Sequence, residues 1–119
     1  MYKRQIYLDS YTGSIVNHGA GRIVSGDDID LFAELNITNL SGGSIIADAD
    51  IRSYSGGNTS NSGYVRSDNF ILTTGDDFVN LSGGLVSTID DLEIFSDGNI
   101  ENSGTISTDG VLTLSLIHI

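Results

Sequence analysis

The chain has no cysteine and no proline, and only one of its five basic residues is a lysine. Without cysteine it can form neither a disulfide framework nor a thiolate metal site. Against the five basic residues stand 16 acidic ones, for a formal charge of −11. Such a surface repels nucleic acid and anionic membrane, so no nucleic-acid partner is expected. Solubility is the simplest use of that charge, and calcium binding is another. Helix caps and apolar spacing of 3.6 residues are also missing. The apolar tail, residues 111–119, falls far short of the roughly 20 apolar residues that span a bilayer.

What the chain does have is a repeat. Five times an asparagine stands two residues after an apolar residue or a threonine: Asn17, Asn39, Asn61, Asn80 and Asn102. Each is followed by a Gly-x-Ile/Val triplet beginning at Gly21, Gly43, Gly63, Gly84 and Gly104, with successive glycine spacings of 22, 20, 21 and 20 residues. A fixed period of this size signals stacked supersecondary units. The periodic isoleucines, valines and leucines argue against disorder, which the high content of glycine and small polar residues could otherwise suggest.

Within each unit the apolar residues alternate with polar ones. Three short strands are therefore predicted, separated by turns rich in Gly, Asp, Asn and Ser. Three such strands bury nothing alone, but coiled onto identical neighbours they form a core. Equivalent residues then stand about 4.8 Å apart. The expected fold is all-β: a parallel β-helix (solenoid) of about five coils of 19–22 residues, with three short strands per coil. It is expected to be right-handed by the usual crossover preference.

Two apolar columns are predicted: Ile23, Ile45, Val65, Val86 and Ile106 on one sheet, and Ile29, Ile51, Ile71, Leu92 and Leu112 on another. Asn17, Asn39, Asn61, Asn80 and Asn102 are read as a structural amide ladder, because one residue at one phase of every repeat is what stacking requires. The glycine column is read as turn positions needing positive φ or close backbone approach. A further column, Phe32, Tyr54, Thr74 and Phe95, is expected to fill a corner of the coil, since large aromatics tend to be buried. Exposed, it would instead suit sugar rings.

The termini differ in character from the repeats. Tyr2-Lys3-Arg4-Gln5 can be encoded by TAT AAG AGA CAG, whose reverse complement encodes Leu-Ser-Leu-Ile. The chain closes Leu114-Ser115-Leu116-Ile117-His118-Ile119. The pair resembles a transposase adapter, so residues 1–5 and 114–119 are read as adapter-derived scars. Residues 6–113 are read as an interior repeat segment of a longer protein.

Gly98 to Thr113 and Asn36 to Asp50 resemble units of the filamentous-haemagglutinin-type repeats found in two-partner-secretion exoproteins of Gram-negative bacteria. The resemblance covers nearly all of residues 13–113, and autotransporter passengers carry similar units. The third unit departs most, with Thr59 before its asparagine and Asn69-Phe70 in place of an Asp-rich turn. A distorted coil or a short loop is expected there. The resemblance implies a secreted, cell-surface shaft of an adhesin, a haemolysin or a contact-dependent inhibition stalk. The implied partners are neighbouring coils of the parent, an outer-membrane secretion partner, and a host or bacterial surface receptor or glycan. A lack of cysteine suits a chain that crosses an oxidising periplasm unfolded.

Pectate-lyase-like carbohydrate enzymes also use β-helices, and their sites need clustered carboxylates with a basic partner. Here the acids fall mostly in repeat turns, His18 stands alone, and Arg22, Arg52 and Arg66 are read as surface residues at near-equivalent phases. No catalytic residue, cofactor or enzyme activity is expected. Asp76 and Asp77, in a run that faintly echoes glycine–aspartate calcium repeats, are the weak metal candidates. Both solenoid ends expose unpaired strand edges. Residues 6–113 on their own should therefore associate end to end or be poorly stable, and a concentration-independent, well-folded monomer in sedimentation would contradict this.

Overall fold

The computed structural model describes residues 6–116, and every regular element in that range is a strand. The first sheet has six strands: β1 (Ile6–Ser10), β4 (Ile29–Ala33), β7 (Asp50–Ser55), β10 (Asn69–Thr74), β13 (Leu92–Ser96) and β16 (Leu112–Leu116). The second has five: β2 (Ile15–Asn17), β5 (Ile37–Asn39), β8 (Thr59–Asn61), β11 (Phe78–Asn80) and β14 (Ile100–Asn102). The third also has five: β3 (Arg22–Ser25), β6 (Ser44–Ala47), β9 (Tyr64–Ser67), β12 (Leu85–Thr88) and β15 (Thr105–Thr108). All pairings are parallel, between strands one coil apart. The chain is a parallel β-solenoid of about five turns with three strands per turn. Leu114 to Leu116, assigned to the C-terminal scar, continue β16 in register with Ile94 to Ser96.

The core runs up the axis. Ile23, Ile45, Val65, Val86 and Ile106 stack in register on the third sheet. Ile15, Ile37, Thr59, Phe78 and Ile100 stack on the second. Ser25, Ala47, Ser67 and Thr88 are small and buried where the coil closes against the next turn. The core is otherwise filled by Phe70, Leu72 and Phe78 in the middle coils, where Ser53 and Thr59 bring less volume. An internal cavity of about 20 Å³ remains beside them. Its lining is mostly apolar, so although one water could fit by volume, that water would lack the two to four polar partners it needs.

The first sheet departs from the predicted column. Ile51 pairs with Phe70, and Phe70 with Leu92, so Phe70 holds the buried position assigned to Ile71. Ile71 stands beside Arg52 and Glu93 on the outer face, 41% exposed. The same shift places Thr73, not Thr74, between Tyr54 and Phe95. The cause is one residue fewer between Val65 and Phe70 than between Ile45 and Ile51. Period-2 alternation turns a one-residue slip into a change of face. The departure expected in the third unit is thus a shortened turn.

Replacing Phe70 by alanine should lower stability by about 3–5 kcal/mol. Ile71→Thr should change it by no more than about 0.5 kcal/mol, as for other surface changes. Urea unfolding of both variants measures this, and a larger loss for Ile71→Thr would reverse the assignment of faces.

Candidate functional site

The recurring polar residues form three ladders, each of which joins successive coils. In the first, Asn17 Nδ2 donates to Asn39 Oδ1 at 2.8 Å, Asn39 to Asn61 at 2.9 Å, Asn61 to Asn80 at 3.0 Å and Asn80 to Asn102 at 2.9 Å. The same Nδ2 groups also reach backbone carbonyls, as from Asn17 to Gly21 and Ser44 and from Asn80 to Gly84 and Thr105. Asn39, Asn61 and Asn80 are 2%, 3% and 0% exposed, and an amide so buried must find such partners. An amide suits the place because it carries a donor and an acceptor, so each residue can bond to a copy of itself.

The ladder explains the glycine column. A Cβ at Gly43 would lie 2.7 Å from Asn39 Oδ1 and 2.9 Å from Asn17 Nδ2; at Gly84 it would lie 2.5 Å from Asn80 Oδ1. Close approach is therefore what these glycines supply. Positive φ falls one residue earlier, at Ala20 (65°), Gly42 (86°) and Gly83 (86°).

The second ladder runs through the turn after the first sheet. Ser14 Oγ accepts from the Asn36 N–H, Asn36 Oδ1 from Asn58, Asn58 Oδ1 from Asp77, and Asp77 Oδ1 from Asn99. The third runs through the turn before that sheet. Asp28 Oδ1 accepts from the Asp50 N–H, Asp50 Oδ1 from the Asn69 side chain, Asn69 Oδ1 from Asp91, and Asp91 Oδ1 from Val111. Of the two calcium candidates, Asp77 is thus a rung of a turn ladder, and Asp76 is an exposed neighbour whose carbonyl accepts from Ser96 Oγ. Among the described residues no group of three or more His, Cys, Asp or Glu side chains is arranged to hold a metal ion.

The aromatic column lies outside the coil and not in a corner of the core. Along β4 and β7 the inward and outward residues alternate, and Phe32 and Tyr54 take outward phases. Their rings stack at 5.0 Å with planes 13° apart, and Tyr54 is 44% exposed. In-register stacking satisfies the ring faces without burial. The arginines do not share a phase. Arg22 pairs across from Ser44, Arg66 from Ile46 and Ser87, and Arg52 lies on a different sheet. Arg52 Nε donates to Asp30 Oδ1 at 2.6 Å, and its Nη2 lies 3.8 Å from Asp28 Oδ2. The hydrogen bond to Asp30 holds the guanidinium charged more firmly than usual. His18 is exposed in its turn.

One shallow depression of about 370 Å³ follows from this arrangement, lined by Tyr7, Asp30, Phe32, Arg52, Tyr54 and Thr73 among others. Three acids, Asp28, Asp30 and Asp50, gather around its arginine, and two of them also accept hydrogen bonds from the ladder. Repeat counting missed the depression because its outward residues, Tyr7, Asp30, Arg52 and Ile71 at one phase and Phe32, Tyr54 and Thr73 at another, change type from coil to coil.

Asn61→Ala would leave Asn39 Nδ2 and Asn80 Oδ1 without one partner each. Asn39 Nδ2 keeps its contacts to the Gly43 and Tyr64 carbonyls, but Asn80 Oδ1 and the Gly63 N–H lose their bond to Asn61, and each of these two losses should lower stability by about 1–3 kcal/mol. Asn102→Ala, at the exposed last rung, should lower it by less than half as much. Equal losses in denaturant titrations would show that the ladder does not stabilise the coil.

Comparison of the chain with family models, with curated proteins and with solved structures gives no match, so the reading of its function rests on the geometry above and on the repeat resemblance.

Proposed function

We propose that residues 6–113 are a structural shaft segment of a secreted bacterial surface exoprotein of the filamentous-haemagglutinin-repeat type, spacing an adhesive or toxic region away from the cell. The observation that carries this reading is that the recurring asparagines, glycines and apolar residues are all consumed by coil-to-coil contact. A repeat devoted to stacking can be lengthened without redesign, which is what a spacer needs. The absence of cysteine fits export through an oxidising compartment. We take the segment to be non-catalytic, because the acids that cluster neutralise Arg52 or hold backbone N–H groups.

A second reading, carbohydrate binding, has one specific observation in its favour. The outward Phe32–Tyr54 stack stands beside Asp30 and Arg52 in a shallow depression, and a ring face flanked by charged hydrogen-bonding groups suits a sugar. Both readings are tested together. The chain is placed behind a two-partner secretion domain and co-expressed with its outer-membrane transporter in a Gram-negative host. It should reach the outer surface or the medium with a strand-type circular dichroism spectrum. Retention in the periplasm would count against the shaft reading. Glycan-array binding that Tyr54→Ala abolishes would favour the second.

A further inference from the structure

The aromatic column on the outward face of the first sheet has a gap in it. Phe32, Tyr54, Thr73 and Phe95 hold one outward phase in the successive strands β4, β7, β10 and β13. Phe32 and Tyr54, one coil apart, stack at 5.0 Å. Thr73 then breaks the stack, because its side chain carries no ring. The face of Tyr54 that does not meet Phe32 is left open toward Phe95, and Tyr54 is accordingly 44% exposed.

The gap is one ring wide. Tyr54 and Phe95 are two coils apart, or about 9.6 Å at the usual strand spacing. A flat group set midway above Thr73 would stand about 4.8 Å from each ring. That is close to the 5.0 Å at which Phe32 and Tyr54 already stack. The shallow depression of about 370 Å³ opens here, since Tyr54, Ile71 and Thr73 are among its lining residues.

The charges around the gap favour a cation. Arg52 stands beside Tyr54, but its guanidinium is bound toward Asp30 and Asp28, on the side of β7 away from the gap. Glu93 stands beside Phe95 at the neighbouring outward phase. Among the described residues its carboxylate has no ion-pair or hydrogen-bond partner. Ile71 lies between Arg52 and Glu93 and joins the depression to a second hollow of about 200 Å³, lined by Asp50, Asp91 and Glu93 among others. Two ring faces and an uncommitted carboxylate, on a chain of formal charge −11, select a flat cation. A guanidinium is planar and weakly hydrated, stacks on aromatic faces and meets a carboxylate with its fork. A lysine ammonium is compact and strongly hydrated, and a neutral sugar makes no use of the charge.

We propose that the gap at Thr73 binds an arginine side chain of a partner protein, with the guanidinium held between Tyr54 and Phe95 and its fork turned to Glu93. The site does not rest on the shaft reading. It differs from the carbohydrate reading in place as well as ligand, because it uses the opposite face of Tyr54.

The test is an NMR titration of the full chain with N-acetyl-arginine amide, and in parallel with N-acetyl-lysine amide and methyl glucoside. The arginine probe should shift the ring resonances of Tyr54 and Phe95 saturably, and added salt should weaken its binding. Thr73→Phe completes the stack on an outward position, so it should keep the fold and abolish the shifts. Glu93→Gln should weaken binding about tenfold, the loss of one charge-assisted contact. Tyr54→Ala, read at Phe95, should weaken it about two- to fivefold. No saturable shift in the unaltered chain overturns the proposal, and so does binding that survives in folded Thr73→Phe. Should Thr73→Phe lose its strand-type spectrum, unchanged affinity in Glu93→Gln decides against the site. Equal affinity for the lysine probe removes the guanidinium assignment. Tighter binding of the glucoside, indifferent to Glu93→Gln, gives the gap to a sugar instead.

Discussion

In a parallel solenoid each residue stands about 4.8 Å above the residue at the same phase of the coil below. Every inward position must therefore tolerate something like its own copy as its nearest neighbour. Apolar β-branched side chains do so by packing. Glycine does so where the ladder leaves no room for a Cβ, as at Gly43 and Gly84. A buried polar residue can do so only if it is self-complementary, and an amide is. The Asn17-to-Asn102 chain is that solution, with interior members 0–3% exposed and each side chain bonded to the next. Unpaired amides at that depth would each be strongly unfavourable.

The coil keeps phase while its turns change length. The Asn-to-Gly step is four residues at Asn17, Asn39 and Asn80 but two at Asn61 and Asn102. In the long form the glycine N–H bonds to a carbonyl three residues back, as from Gly43 to Leu40. In the short form it bonds to the asparagine side chain itself, as from Gly63 to Asn61 and from Gly104 to Asn102. An asparagine side chain can stand in for a missing backbone turn in this way. Together with the residue lost before β10, these two turn forms account for all four glycine spacings. The strands are held by stacking, and the turns absorb the variation.

That division sets what could be read from the sequence. The fold, the three strands per coil, the Ile23-to-Ile106 column and the Asn and Gly columns recur in every unit, so counting finds them. Ile71 and Thr74 were misplaced because both follow the shortened turn. Counting from Val65 carries the period forward, whereas the pleat allows only the face that keeps Phe70 inside. The aromatic pair was misjudged for a different reason. Burial preference ranks residue types singly, and it does not see that Phe32 and Tyr54 can cover each other's faces on the outside of the coil. The depression beside them is lined from four successive coils whose outward residues differ, with a single arginine among them, a combination with no period.

The acidic turns show the same physics with a looser requirement. In the Ser14-to-Asn99 and Asp28-to-Asp91 ladders, most rungs only accept an N–H from the coil above. Serine, asparagine and aspartate all meet that need, so the column varies in sequence while its geometry repeats. Asp28 accepts the Asp50 N–H and Asp50 accepts the Asn69 amide, so each of these two carboxylates at adjacent rungs has its own donor. Asn69 then interrupts the run of charge before Asp91, and its amide donates to Asp50 while its oxygen accepts from Asp91. Four of the turn acids, Asp28, Asp50, Asp77 and Asp91, are in this way part of the turn scaffold. A column of carboxylates in a solenoid becomes evidence for a ligand only when its oxygens are not already committed to the coil above.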